Sequence, residues 1–275
     1  MLREYSLYKI YTALPGRGWR HAGRAGVALA GLLWVAVAAP AATATATAAM
    51  GAAGAADASA ARIESARRWY QNVEAFWTVE IAALGGQYQG ATLLFYESPL
   101  DRGCDVAGPL RGPFYCPAAA TVYLDRAYLQ RLAGATTDST RAALGYVVAH
   151  ELAHHIQGLV GTTLLVDQAR SRSTRALATR TLTTYELQAD CYAGLWLRWA
   201  GQRGNLVAPP DPAGLLDAIA AISPRSDASR TVPGPWLDPL THGTRAQRLK
   251  WLQVGLDSGD FNACDTFSAE AAGKL

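Results

Sequence analysis

Two imidazoles and a carboxylate stand in the run His150-Glu151-Leu152-Ala153-His154, at a spacing that lets them share one metal ion and an attacking water. On an α-helix, residues four apart lie one above the other on the same face, so His150 and His154 can ligate together. Glu151 is turned by about 100° from His150, which sets its carboxylate beside a metal rather than on it. A carboxylate so placed can take a proton from water, which suits a hydrolase better than a passive clamp. The preceding residues, Ala142 to Ala149, are apolar with no polar face, as in a helix buried on all sides. Ionisable groups at the end of such a helix are costly unless paired, and a dication is the simplest partner.

A catalytic zinc site takes three protein ligands and leaves a fourth position for water. The candidate third ligand is Glu186, on a second helical stretch, with Asp190 four residues later on the same face. Asp190 is placed to accept the outward N–H of a ligand histidine and so fix its tautomer. The bland alternative for this pair is two solvated acids on a helix face. Imidazole and carboxylate ligands suit one zinc ion, with cobalt or manganese as alternatives. Glu151 then acts as general base and afterwards as general acid to the leaving amine. A second electrophile is needed for the oxyanion, and His242, Tyr115 and Tyr123 are the candidates. His242 ranks first because a Thr-His-Gly turn ahead of a helix can aim an imidazole into a cleft, with a helix-entry histidine making only a local hydrogen bond as an equal alternative. His155 and Gln157 read as packed or supporting groups. Tyr123 reads as a core residue of its strand, or as part of an edge along which an extended peptide lies.

These residues need elements to carry them. Apolar positions from Ile63 to Ile81 recur at helical spacing, which predicts a helix over 61–83 ending at Gly85-Gly86. Residues 91–96 and 121–124 read as strands, separated by a Gly- and Pro-rich loop. A short helix is expected at 126–133, then the metal-site helix with an N-cap cluster at 136–139. Residues 162–173 look polar and loose. Further helices are expected at 173–199, from Asp211 to Ile222, and at 244–257, with a turn-rich stretch at 223–239. The fold class is therefore α+β and predominantly helical, with a small sheet.

The net charge of +3 misleads about partners. Five basic residues before position 50 stand against Glu4 alone, a net +4 that leaves −1 for the rest, so no nucleic-acid surface is expected. Those charges precede the uncharged run Gly26 to Ala39 and then small-x-small sites around Ala42 to Ala48. Residues 1–49 thus read as a signal peptide, or as an uncleaved signal anchor, that sends the rest out of the cytoplasm. Residues 50–60, Ala- and Gly-rich, read as a linker, and 61–275 as the functional domain. Cys104, Cys116, Cys191 and Cys264 form an even set without a C-x-x-C pair. Of three connectivities, Cys104–Cys116 with Cys191–Cys264 is favoured because the first closes a short loop; free buried thiols are the alternative.

His-Glu-Leu-Ala-His-His with the later Glu186-Leu187-Gln188-Ala189-Asp190-Cys191 resembles the bacterial neutral zinc metallopeptidases. So do Gly112 to Pro117, Val122 to Asp125, Thr241 to Arg248 and Ser258 to Asp265, a likeness spanning about 63–267. The resemblance implies a zincin-like fold of the gluzincin kind, with His150, His154 and Glu186 holding zinc, and often an N-terminal membrane segment. The expected activity is zinc-dependent hydrolysis of peptide bonds outside the cytoplasm, on a peptide or protein substrate. The rival expectation is a zinc-binding envelope scaffold or regulatory protein without catalysis, and Glu151 is the residue that separates the two.

Overall fold

In the computed structural model, the described residues are 44–98, 100, 104, 110–133, 138–206, 211–222 and 242–275. Helix α1 spans Ala44–Ala83, and its residues 66, 73, 76, 77 and 81 are buried at helical spacing. It stops where Gly86 N–H bonds the Ile81 carbonyl and Gly85 N–H that of Ala82, a pair of bonds that caps the last turn. The helix begins earlier than its hydrophobic periodicity does. Residues 50–60, expected to be a loose tether, are helical, which follows from the high helix propensity of alanine. The expected targeting run 26–39 lies outside the described residues. Among the described residues, no helix is long and apolar enough to cross a membrane.

Strands β1 (Thr92–Tyr96), β2 (Phe114–Cys116) and β3 (Thr121–Asp125) make one sheet in the order β1-β3-β2. β1 runs parallel to β3, and β2 runs antiparallel to it with Tyr115 opposite Val122. β2 was not expected, since three residues inside a Gly- and Pro-rich loop carry no readable alternation. Its presence makes β3 the central strand. The strand of Tyr123 is therefore not a free edge, which corrects the expectation that a peptide could lie along it. Tyr123 stacks on Phe114 at 4.7 Å in a small second core with Tyr96 and Leu110. The Cys104–Cys116 disulfide pins that core.

Helices α2 (Arg126–Ala133) and α3 (Asp138–Leu159) follow. Every residue of α3 from 145 to 157 is buried, as its uniformly apolar lead-in predicts. Next comes α4 (Thr162–Ser171), where a loose segment was expected. Only Thr162, Thr163 and Val166 of α4 are buried, too few to print a period on the sequence. Helix α5 (Arg175–Gln202) is buried without interruption from Thr184 to Leu197. Helices α6 (Pro212–Ile222), α7 (Arg245–Ser258) and α8 (Thr266–Ala271) complete the described chain. Asp211 accepts the Gly214 N–H at the start of α6, the cap expected there.

The core is α3, α5 and the body of α1, with α7 laid across α5. At that crossing, a β-carbon added to Gly194 would meet the Leu252 carbonyl at 2.2 Å, and one added to Gly255 the Cys191 carbonyl at 2.0 Å. Backbone therefore touches backbone, and α5 and α7 are fixed to each other. The Cys191–Cys264 disulfide ties the same region to the chain beyond α7. Both favoured pairings are present, and the fold is helical α+β with a small sheet beside α3.

Candidate metal centre

Within the wholly buried part of α3, His150 and His154 face α5. Glu186 answers them from α5 with one carboxylate oxygen. Oε2 lies 3.1 Å from His150 Nε2 and 3.4 Å from His154 Nε2. A third imidazole comes from the turn before α7, where His242 Nε2 is also 3.4 Å from that oxygen. His150, Glu186 and His242 each offer a ligand atom within 4.8 Å of the others. The structure thus gathers His150 and Glu186 with His242, while the second motif histidine, His154, reaches the Glu186 oxygen but is not within that spacing of all three.

The outer nitrogens of the motif histidines are already committed. His150 Nδ1 donates to Asp190 Oδ1 at 3.0 Å, as the i, i+4 placement of Asp190 after Glu186 predicts. His154 Nδ1 donates to Gln157 Oε1 at 2.8 Å. That amide cannot be turned round, because Gln157 Nε2 donates to the Tyr185 carbonyl at 2.8 Å and to Gln188 Oε1 at 3.0 Å. Gln188 is anchored in turn on the Cys264 carbonyl at 3.1 Å. With both Nδ1–H groups spent outward, the Nε2 lone pairs of His150 and His154 point at a carboxylate oxygen. Lone pairs facing an anion in a buried site need a cation between them, either protons or one metal ion. An N2O donor set with a further imidazole in reach suits zinc in type and number.

Asp190 is the most heavily supported group of the site. Arg248, from α7, donates Nε to Oδ2 at 2.9 Å and a terminal nitrogen to Oδ1 at 3.2 Å. The same guanidinium donates to the Tyr146 hydroxyl at 2.7 Å, and that hydroxyl donates to Asp190. Burial alone would raise the Asp190 pKa, but Arg248 and His150 hold it well below the usual carboxylate range. Glu186 is held low likewise, with His242 and His154 outweighing burial. Burial lowers His150, but hydrogen bonds to Asp190 and Glu186 overcome it and raise its pKa to about 10 when no metal competes. His242 is lowered by burial and by the positive Arg248 and His150.

Glu151 is buried among His150, His154 and Glu186 and accepts the backbone N–H of Tyr115, so β2 holds it in place. Burial raises its pKa, against the lowering effect of the two histidines. Tyr115, one of the three electrophile candidates, is otherwise engaged. His155 donates Nε2–H to the Gln89 carbonyl at 2.6 Å, so its Nδ1 accepts, and the Tyr115 hydroxyl donates to it at 2.9 Å. His155 is accordingly a packed support, as expected. Gln157 does more than pack, since it orients His154. Sequence reasoning missed Tyr146, Gln188 and Arg248. Tyr146 precedes His150 by one turn, a spacing that could have flagged it. Nothing in one sequence ties Arg248 to Asp190.

Two buried helices that bring His150 and Glu186 together beside His242 define the class, that of proteins with a group able to hold a metal ion. Residues 22–267 match the family described as "Putative neutral zinc metallopeptidase", and the chain belongs to that family. The match begins well before residue 63, where the motif-level likeness starts. The chain is 37% identical over 198 residues to "Uncharacterized protein YpfJ" of Escherichia coli K12, covering 70% of this chain and 67% of that one. It is also 37% identical over 200 residues to "Uncharacterized protein Rv2575" of Mycobacterium tuberculosis, covering 68% of this chain and 65% of that one. No solved structure matches it.

Proposed function

We propose that the protein is a zinc-dependent metallopeptidase that hydrolyses peptide bonds of peptide or protein substrates outside the cytoplasm. The observation that carries this reading is the meeting of Glu186 with His150 and His154, with Glu151 buried beside them and held by Tyr115. A zinc ion bound by these residues would supply Lewis-acid polarisation of the scissile carbonyl and bring the pKa of water toward neutrality. Glu151 takes the proton from water and delivers it to the leaving nitrogen. Its raised pKa suits a group that must both accept and return a proton. Asp190 and Gln157 hold the two motif imidazoles with Nε2 inward. His242 is the electrophile that steadies the developing oxyanion, since Tyr115 is committed to His155.

Export is supported by the two disulfides, which persist in an oxidising compartment. On this reading residues 1–49 are the signal peptide or anchor and 61–275 the peptidase domain. The test is cleavage of an unfolded polypeptide by the purified protein and by Glu151→Gln. The variant is expected to retain one zinc and lose about 10²–10⁴ in rate. Cleavage that survives the substitution, with zinc still bound, would leave a non-catalytic zinc-binding role as the better reading.

A further inference from the structure

His242 is too close to Glu186 to stand only as an outer electrophile. Ligand atoms of one tetrahedral zinc, at bonds of about 2.0–2.1 Å, lie about 3.3–3.4 Å apart. A group donating to an oxygen on the metal stands one hydrogen bond further out, roughly 4–5 Å from a neighbouring ligand atom. The distances from Glu186 Oε2 to His150, His154 and His242 are 3.1, 3.4 and 3.4 Å, so each imidazole sits at the shorter spacing from that oxygen, and His242 also lies within 4.8 Å of His150. The ring of His242 also lies face-on to His150, at 5.8 Å between centroids and 28° between planes.

The chain builds this position with some care. Gly243 is left-handed, at φ +81°, and a β-carbon there would meet Leu187 at 3.2 Å and Thr183 at 3.3 Å. The turn therefore lies directly on α5, over the stretch that carries Glu186. Immediately after it, Thr244 and Gln247 form a reciprocal capping box that fixes the start of α7. His242 is thus aimed from a braced turn.

We propose that His242 is a fourth, displaceable metal ligand: in the resting protein its Nε2 completes an N3O set with His150, His154 and Glu186 and closes the position that water would take. This rests on the reading that the site holds zinc. His242 is the donor built to leave, because its side chain is 31% exposed against 5%, 11% and 2% for His150, His154 and Glu186. With zinc bound, His242 would be the imidazole that yields to substrate or water, and its released ring would remain in position to act as the electrophile. A resting protein of this kind is latent, and its reactivity toward small ligands is set by how readily His242 yields.

The experiment is cobalt substitution and zinc titration of the full chain, His242→Ala and His242→Gln. Wild-type protein is expected to show the intense visible bands of a four-coordinate cobalt site that changes little on adding azide. Both variants are expected to bind one metal with at least about tenfold weaker affinity, to show altered bands, and to regain the wild-type spectrum when free imidazole is added. The glutamine variant preserves the test if the alanine variant fails to fold. Unchanged affinity and spectra in the variants would overturn the fourth-ligand assignment while leaving the zinc reading intact. Wild-type protein that takes up no metal would overturn both.

Discussion

The proton on His150 and the metal compete for one place. With its pKa raised to about 10 between Asp190 and Glu186, His150 carries that proton at neutral pH when the site holds no metal. Zinc must displace it, so calorimetry in buffers of different ionisation enthalpy should show about one proton released per zinc at pH 7. Apparent zinc affinity should strengthen as pH rises toward 10 and weaken as it falls. The metal-free fold behaves in the opposite sense. A group whose pKa is raised on folding contributes stability that is fully present below its unfolded value, near 6.5, and is lost as pH rises through about 10. Arg248 belongs to the same cluster, because it leaves no acceptor position of buried Asp190 to chance. Arg248→Met takes the guanidinium from a buried carboxylate still bonded to His150 and Tyr146 and is expected to cost about 3 kcal/mol in urea unfolding, with part of the loss recovered when Asp190→Asn is added. An unchanged midpoint would show that the pair is dispensable.

At the level of helices, the site depends on how α5 and α7 cross. Glu186 and Asp190 ride on one, Arg248 on the other, and His242 stands at the head of the second. Gly194→Ala or Gly255→Ala places a methyl group where a carbonyl already sits and is expected to destabilise by about 3 kcal/mol. Zinc affinity should fall with it, because parting the helices moves His242 and Arg248 away from α5. A Gly194→Ala protein with wild-type melting and zinc binding would refute the close contact. This crossing also marks where the sequence stops being readable. His150, His154, Glu186 and Asp190 were legible because each pair lies within one helix, where spacing alone fixes the face. Arg248 and Gln188 were not, since their partners lie 58 and 76 residues away and meet them only through packing. Element type was readable where a helix was buried throughout, as for α3 and α5. It failed for β2, with three residues, and for α4, with one buried face of little more than a turn.

For the molecule as a whole, the covalent ties bear on the metal centre. Cys191–Cys264 spans 73 residues, and closing a loop of that size is worth about 4 kcal/mol. Replacing both cysteines with alanine should cost about that much. It should also loosen the Cys264 carbonyl that anchors Gln188, and through Gln157 the His154 ring. The expected result is a lower melting temperature and weaker zinc binding together. Loss of stability with zinc affinity intact would show that the amide chain is held by packing alone.

The donors at the centre come from α3, α5 and the turn before α7, segments far apart along the backbone. An ion held by all of them acts as a rivet through the assembled body, with nothing comparable to grip once the chain opens. Free zinc at a hundred times its dissociation constant should therefore add about 2.7 kcal/mol to the fold, and a chelator should lower the melting temperature by about 5–10 °C. Scarcity of the ion would then be felt first as fragility of the whole protein and only afterwards as an idle site.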